Sequence, residues 1–238
     1  MALDQERPEY HPSHMCNLYS ITKSQQAIRK AYRAMVDQTG NLPSLPGVFP
    51  DQMAPVVRNG SGGRELTMMR WGFPAPPGLP GNRAVTNIRN TGSGYWRAWM
   101  GPANRCLVPA SAFCEYTAGK PAVPHWFALG EDRPLFAFAG LWRPWTGVRG
   151  TKANPTDGEH ELFAFLTCEP NEVVGPIHPK AMPVILTTAE ECDAWLAASV
   201  SDALELQRPL ADGLLSVVAV GEKQDPPSSA LVGPTLLL

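Results

Sequence analysis

Arg105-Cys-Leu-Val-Pro-Ala-Ser-Ala-Phe-Cys-Glu-Tyr116 is a nearly continuous apolar run interrupted close to its end by one carboxylate, Glu115. It reads as a buried strand, and residues 135–142 read as a second one, with a proline-rich turn between them. Working outward, residues 66–73 form a strand pattern ending in Trp71-Gly72, and 161–168, 182–186 and 214–220 are further strand candidates. Two helices are expected. Thr22-Lys-Ser-Gln25 is a capping-box pattern followed by Ile28, Tyr32 and Met35 at helical spacing, which predicts a helix over 23–36. Thr188-Ala-Glu-Glu191 is a second capping box, opening a helix to about Ala198 that buries Trp195 and Leu196. Residues 41–55 read as extended and proline-punctuated, 74–81 as a Pro/Gly loop, and 147–158 as a mobile polar loop. Strands outnumber helices and do not alternate with them. That predicts an α+β fold: a single domain with a curved, largely antiparallel, barrel-like sheet and peripheral helices.

The composition fits a globular chain long enough to bury a substantial core: 238 residues, 44% hydrophobic and 18% charged. Its 25 prolines are about twice the usual ~5% usage and fall mostly between apolar runs, which suggests long ordered loops. Net charge is −2, so no general attraction to polyanions is expected. The local distribution differs: residues 64–105 hold six arginines, at 64, 70, 83, 89, 97 and 105, against the single acid Glu65. A basic face on a near-neutral protein suits a localised nucleic-acid groove, although a solvated arginine-rich surface has the same signature.

Five cysteines (16, 106, 114, 168 and 192) are odd in number, widely spaced and without a C-x-x-C pair. This argues against a disulfide framework and a zinc site and for a reducing, cytoplasmic compartment. The first fourteen residues are polar, unlike a secretory signal. They read as a propeptide, a tag or an upstream start, and residues 226–238 as a C-terminal tail. Gly60-Ser-Gly-Gly lacks the lysine of a P-loop, and H-E-x-x-H and G-x-S-x-G are absent, so no familiar cofactor is expected.

Four residues can carry chemistry. Glu115 shares a strand face with Phe113, while Cys114 and Tyr116 share the other, so its carboxylate is expected to be partly desolvated and its pKa raised. The alternative is an edge glutamate facing water. His178 is fixed by prolines at 176, 179 and 183, as a positioned loop residue needs, though a structural histidine fits as well. Asn87, in Val85-Thr-Asn-Ile-Arg89, offers an amide that can orient a sugar or phosphate oxygen or cap a turn. Cys16 is either a small buried hydrophobe or, if Met15 and everything before it are removed, a terminal 1,2-aminothiol.

Six segments together resemble the SOS-response-associated peptidase family of abasic-site processing proteins. They are Met15-Cys16-Asn-Leu-Tyr-Ser, Arg70-Trp71-Gly72-Phe, Asn87-Ile-Arg89, the 105–115 run, Phe138-Ala-Gly-Leu-Trp142, and Ile177-His178 followed by Met182-Pro183-Val. They occur in the family's order across about residues 15–220. The resemblance implies a catalytic domain over 15–225 and no cofactor. It implies that Cys16 becomes the mature N-terminus and forms a thiazolidine with the aldehyde of an abasic site in single-stranded DNA. Asn87 would then orient the amine or the sugar, Glu115 transfer protons, and His178 assist sugar-ring opening and reversal. Trp71, Arg89 and Arg97 match positions near the DNA path, and cleavage before Cys16 would be autocatalytic or, if translation starts at Met15, the work of a methionine aminopeptidase. Three departures stand out: fourteen residues precede Met15 and block the amine while present, Leu18 occupies a position where members often carry arginine, and Asn90-Thr91 follow Arg89 where many members continue Asn-Ala-Arg-Ala-Glu. Two other readings compete with this one: a cysteine peptidase acting on other proteins, and a non-catalytic module binding single-stranded DNA.

Overall fold

A computed structural model describes residues 16–76, 84–151 and 153–227. The expected N-terminal extension, Met15, most of the Pro/Gly loop and most of the C-terminal tail lie outside the described residues. In chain order the first elements are β1 (Tyr19–Ile21), α1 (Gln25–Tyr32), β2 (Val36–Asp37), β3 (Leu45–Val48), β4 (Met53–Gly60), β5 (Gly63–Trp71), β6 (Asn87–Ile88) and α2 (Gly94–Arg97). Then come β7 (Arg105–Ala110), β8 (Ala112–Tyr116), β9 (Pro124–Ala128), β10 (Phe136–Gly150) and β11 (Pro155–Cys168). Last are β12 (Met182–Pro183), β13 (Ile185–Leu186), α3 (Ala189–Ala197), α4 (Val200–Leu204) and β14 (Ser216–Val220).

Five strands close on themselves. β10 pairs with β7, β7 with β4, β4 with β5, β5 with β11, and β11 returns to β10. All of these pairings are antiparallel except β5–β11, where Leu162 and Phe163 lie beside Arg70 and Trp71. Closure removes the open sheet edges that would otherwise pair with other chains. A second, antiparallel sheet runs β14-β9-β8-β1-β3. The architecture is thus α+β with a largely antiparallel barrel core, as the strand pattern predicts.

The two sheets share one hydrophobic core. Tyr19 of β1 reaches from the second sheet into the barrel, its ring edge-on to Trp71 at 5.1 Å and to Phe138 at 5.7 Å. Trp71 in turn stacks on Phe165 at 5.3 Å. Edge-to-face and stacked pairs of this kind contribute about 0.5–1.5 kcal/mol each beyond the area they bury. They fix β1, and with it Cys16, against the barrel wall. Gly72, at φ +122°, lets β5 pass close to its neighbour: a Cβ there would sit 2.5 Å from that of Ala84. α3 is docked by Arg105, fully buried, whose Nε donates to Met100 O (2.8 Å) and whose Nη1 donates to Trp195 O and Ala198 O (2.9 and 2.8 Å).

The Thr188 capping box forms as expected, with Glu191 as its reciprocal partner. The first helix differs. It starts at Gln25, capped by the Ser24 hydroxyl, while the backbone N–H of Thr22 is engaged by Ser111 Oγ in the bend between β7 and β8. It ends at Arg33 in a left-handed conformation, three residues short of the expected limit. The expected turn between 116 and 135 contains β9, which completes the second sheet. The stretch expected as a mobile loop, 147–158, is instead the end of a long hairpin: β10 and β11 stay in continuous register from Gly140↔Phe165 to Gly150↔Pro155. No described helix is long and apolar enough to cross a membrane.

Candidate functional site

β1 and β8 are neighbours in the second sheet, with Tyr19 opposite Phe113, so Glu115 lies two residues along β8 from the β1 contact. Phe113 packs into the barrel core, stacked on Phe127 at 5.1 Å and edge-on to Phe138. Glu115 shares that inward face, and it is 2% exposed. Cys114, on the opposite face, joins a separate small cluster with Leu18 and Trp126. The alternation read from the sequence therefore holds residue by residue.

Cys16 precedes β1 and is 2% exposed. The side-chain amide of Asn87 donates to its carbonyl oxygen (2.9 Å) and to Thr86 Oγ1 (2.9 Å). Thr86 donates onward to Asn17 Oδ1 at 3.1 Å. Asn87 is held there by β6, which lies parallel to β11 with Asn87 beside Phe165. His178 sits in the turns between β11 and β12, its backbone N–H bonded to Val174 O at 2.8 Å. Its ring Nδ1 is 3.8 Å from Glu115 Oε2, close enough for charge coupling and too far for a direct hydrogen bond. Positions 16, 87, 115 and 178 thus meet in one buried cluster at the seam between barrel and second sheet.

Burial dominates the electrostatics. Desolvation pushes the Glu115 carboxyl well above its ordinary range, with the Cys16 thiol pulling weakly the other way. Desolvation, then the neighbouring Glu115, pushes the Cys16 thiol up as well. Burial therefore favours the neutral form of both groups, a carboxylic acid beside a thiol. Glu115 Oε1 and Asn87 Oδ1 are buried and have no hydrogen-bond partner among the described residues. A buried polar atom left without a partner costs about 1–3 kcal/mol. The cluster is accordingly poised to accept further polar groups.

The expected DNA-contacting residues fare unequally. Arg97 is exposed at the end of α2, and Arg89 is about one-third exposed and paired with Glu169. Trp71 is different: its ring is fully buried, stacked on Phe163 and Phe165, and its Nε1 donates to Thr86 O. It is a core residue with no exposed ring face to offer a base. Two members of the site, Thr86 and Asn17, escaped the sequence reading. All five cysteines are buried and unpaired, and among the described residues no three His, Cys, Asp or Glu side chains converge as a metal cradle.

Comparison with known proteins places this arrangement. The abasic site processing protein YoqW of Bacillus subtilis is 30% identical over 167 residues, covering 67% of this chain and 70% of its own. The abasic site processing protein YoaM of the same organism is 30% identical over 158 residues, 63% of this chain and 64% of its own. A crystal structure of a protein from Bordetella bronchiseptica superposes with a TM-score of 0.67 at 23% identity, covering 87% of this chain and 98% of that one. The profile of the SOS response associated peptidase family matches residues 15–223, and the chain belongs to that family.

Proposed function

We propose that this protein processes abasic sites in single-stranded DNA, with Cys16, freed as the N-terminal residue, as the nucleophile. The convergence of Cys16, Asn87, Glu115 and His178 carries this reading, and the names of the relatives agree with it. An α-amine has a pKa near ~7.7–8.0, so a useful fraction, roughly a tenth, is unprotonated at neutral pH, far more than of a lysine amine at ~10.4. It attacks the aldehyde of a ring-opened abasic sugar, and loss of one water leaves an imine. The thiol of the same residue then adds to the imine carbon while its proton passes to nitrogen, closing a thiazolidine. Effective molarities of ~10⁵ M or more make that closure outrun hydrolysis.

Each neighbour has a part. The protonated Glu115 carboxyl supplies the proton that the departing hydroxyl of the carbinolamine needs. His178, beside it, exchanges protons with the sugar hydroxyl and ring oxygen during opening. Asn87 Oδ1 accepts from the amine of the residue whose carbonyl its Nδ2 already holds. Arg89 and Arg97 contact phosphates. Exposure of the amine follows from attack of the Cys16 thiol on the Met15 carbonyl, breaking the C–N bond to leave a thioester that water hydrolyses.

Cys16→Ser tests the reading on three readouts. The expected result is no covalent adduct with an abasic oligonucleotide, retained weak binding, and a binding constant that falls steeply with salt. Loss of cleavage of other proteins would instead support a peptidase acting in trans. An adduct that survives the substitution would overturn the reading.

A further inference from the structure

The distal half of the β10–β11 hairpin is divided by charge. Cross-strand partners share a face, and the register pairs Arg143 with Leu162, Trp145 with His160, Gly147 with Gly158 and Arg149 with Thr156. That face carries two arginines, a tryptophan and a histidine, and no acid. The other face pairs Pro144 with Glu161, Thr146 with Glu159 and Val148 with Asp157, three acids and no base. The paired glycines leave a gap in the cationic face, and the Trp145 ring lies across it: a Cβ on Gly147 would sit 2.4 Å from the ring.

This face borders a cleft of about 370 Å³, whose walls include Trp145, Arg149, Asp51, Asn17 and Thr86. Asn17 and Thr86 are the hydrogen-bonded pair that leads to Asn87 and the Cys16 carbonyl, so the cleft opens directly beside the cluster. Its one carboxylate is outnumbered once Arg70, beside the wall, is counted. Asp51 is shared by two guanidiniums, Arg149 at 2.8 Å and Arg70 at 3.8 Å. The Nε groups of both arginines are buried with no partner among the described residues. The Arg149 side chain is only 8% exposed, so its charge is held in place rather than free to leave for solvent.

We propose that this cleft is a nucleotide subsite, taking the residue that adjoins the abasic sugar, its phosphate on Arg149 and its base against Trp145. The proposal rests on the reading of the cluster given above. It supplies the aromatic platform that buried Trp71 cannot, because base stacking needs an accessible ring and tolerates any base. It also explains why a carboxylate sits in an otherwise cationic cleft: Asp51 holds both guanidiniums, and its Oδ2 accepts from Gly150 N at 2.8 Å at the end of β10.

The test uses single-stranded oligonucleotides with one abasic site and a 2-aminopurine immediately 5′ or 3′ of it. With the wild type we expect quenching for one placement and not the other, lost in Trp145→Ala together with about tenfold in non-covalent affinity. Arg149→Met should flatten the log–log salt slope by about 0.7, the contribution of one phosphate contact on a single strand. Asp51→Asn keeps the acceptor for Gly150 and removes the competing charge, so affinity should rise, a change that misfolding cannot mimic. Adducts that form normally with no quenching at either position, and with the Trp145 and Arg149 variants unaffected, would overturn the subsite alone. Absence of an adduct with every oligonucleotide would overturn the reading of the cluster, and the quenching measured with Cys16→Ser would still judge the cleft.

Discussion

Two groups of buried polar side chains flank β1, and they are built on opposite principles. In one, Ser20 donates to Asp225 Oδ2 at 2.6 Å, Arg133 Nε donates to Asp225 Oδ1 at 3.0 Å, and Ser111 lies between Ser20 and Thr22. Its arginine and aspartate are each 3% exposed, and no buried side-chain atom of Ser20, Ser111, Arg133 or Asp225 lacks a partner. The other is the Cys16 cluster, equally buried, with oxygens of Glu115 and Asn87 left without a partner among the described residues. The first group is closed and fastens the segment after β14 to β1 and β3, with Asp225 N also bonded to Pro46 O. The second is open. Satisfied polar burial marks a clasp, and unsatisfied polar burial marks a place where something else binds.

The sharpest way to break this contrast is to damage the clasp. Asp225→Ala leaves the Arg133 cation buried without its partner and should cost about 3–5 kcal/mol in denaturant unfolding. The folded fraction should form adducts as the wild type does. Adding Arg133→Met should recover much of the loss, since both charges are then gone.

Glu115→Gln should do the reverse, slowing adduct formation by about 10²-fold without loss of stability. The sign follows from the raised pKa. Folded, Glu115 keeps its proton above its ordinary value of 4.5, while the unfolded chain releases it. Wild-type stability therefore falls as pH rises from there to the folded pKa, by up to about 1.4 kcal/mol per pH unit. The glutamine variant has no such slope. Its stability advantage, read from unfolding curves in a pH series with Cys16 still internal, should widen with pH; a constant gap would mean the carboxyl is ionised in the folded protein.

These expectations depend on contacts that the sequence exposes to different degrees. The burial of 105–116 and the Thr188 helix are legible because an apolar run and a capping box are local signals. The break at Ser111, which sends β7 to the barrel and β8 to the second sheet instead of one continuous strand, leaves no mark in that run. Nor is the outer hairpin legible. Its glycines and polar residues look like a loop, and they are strand because the register set in the buried base propagates outward. The burial of Trp71 is legible: it shares a strand face with Met69, fully buried, and alternation places both inside. Leu18 shows the same logic: it is 1% exposed and clustered with Trp126, so the arginine that the resemblance implies there would bury its charge. Isolated polar residues in apolar surroundings mark Glu115, His178 and Asn87 as candidates, and the resemblance implies their roles. It could not supply the Thr86 relay, because a contact between positions 16 and 87 has no local trace.

That relay gives the smallest effect. Thr86→Val removes the acceptor for Asn87 and the donor to Asn17, and should cost about 1 kcal/mol of stability and slow adduct formation a few-fold. A larger kinetic loss than the stability change would mark Thr86 as positioning Asn87 for the reaction rather than merely filling space.

Intact-mass spectrometry, before and after incubation with a single-stranded oligonucleotide bearing one abasic site, tests the central claim most directly. The account predicts a protein mass beginning at Cys16 and an adduct equal to protein plus oligonucleotide less one water. A mass that retains Met15, with no adduct from either the full chain or one begun at Met15, would contradict it.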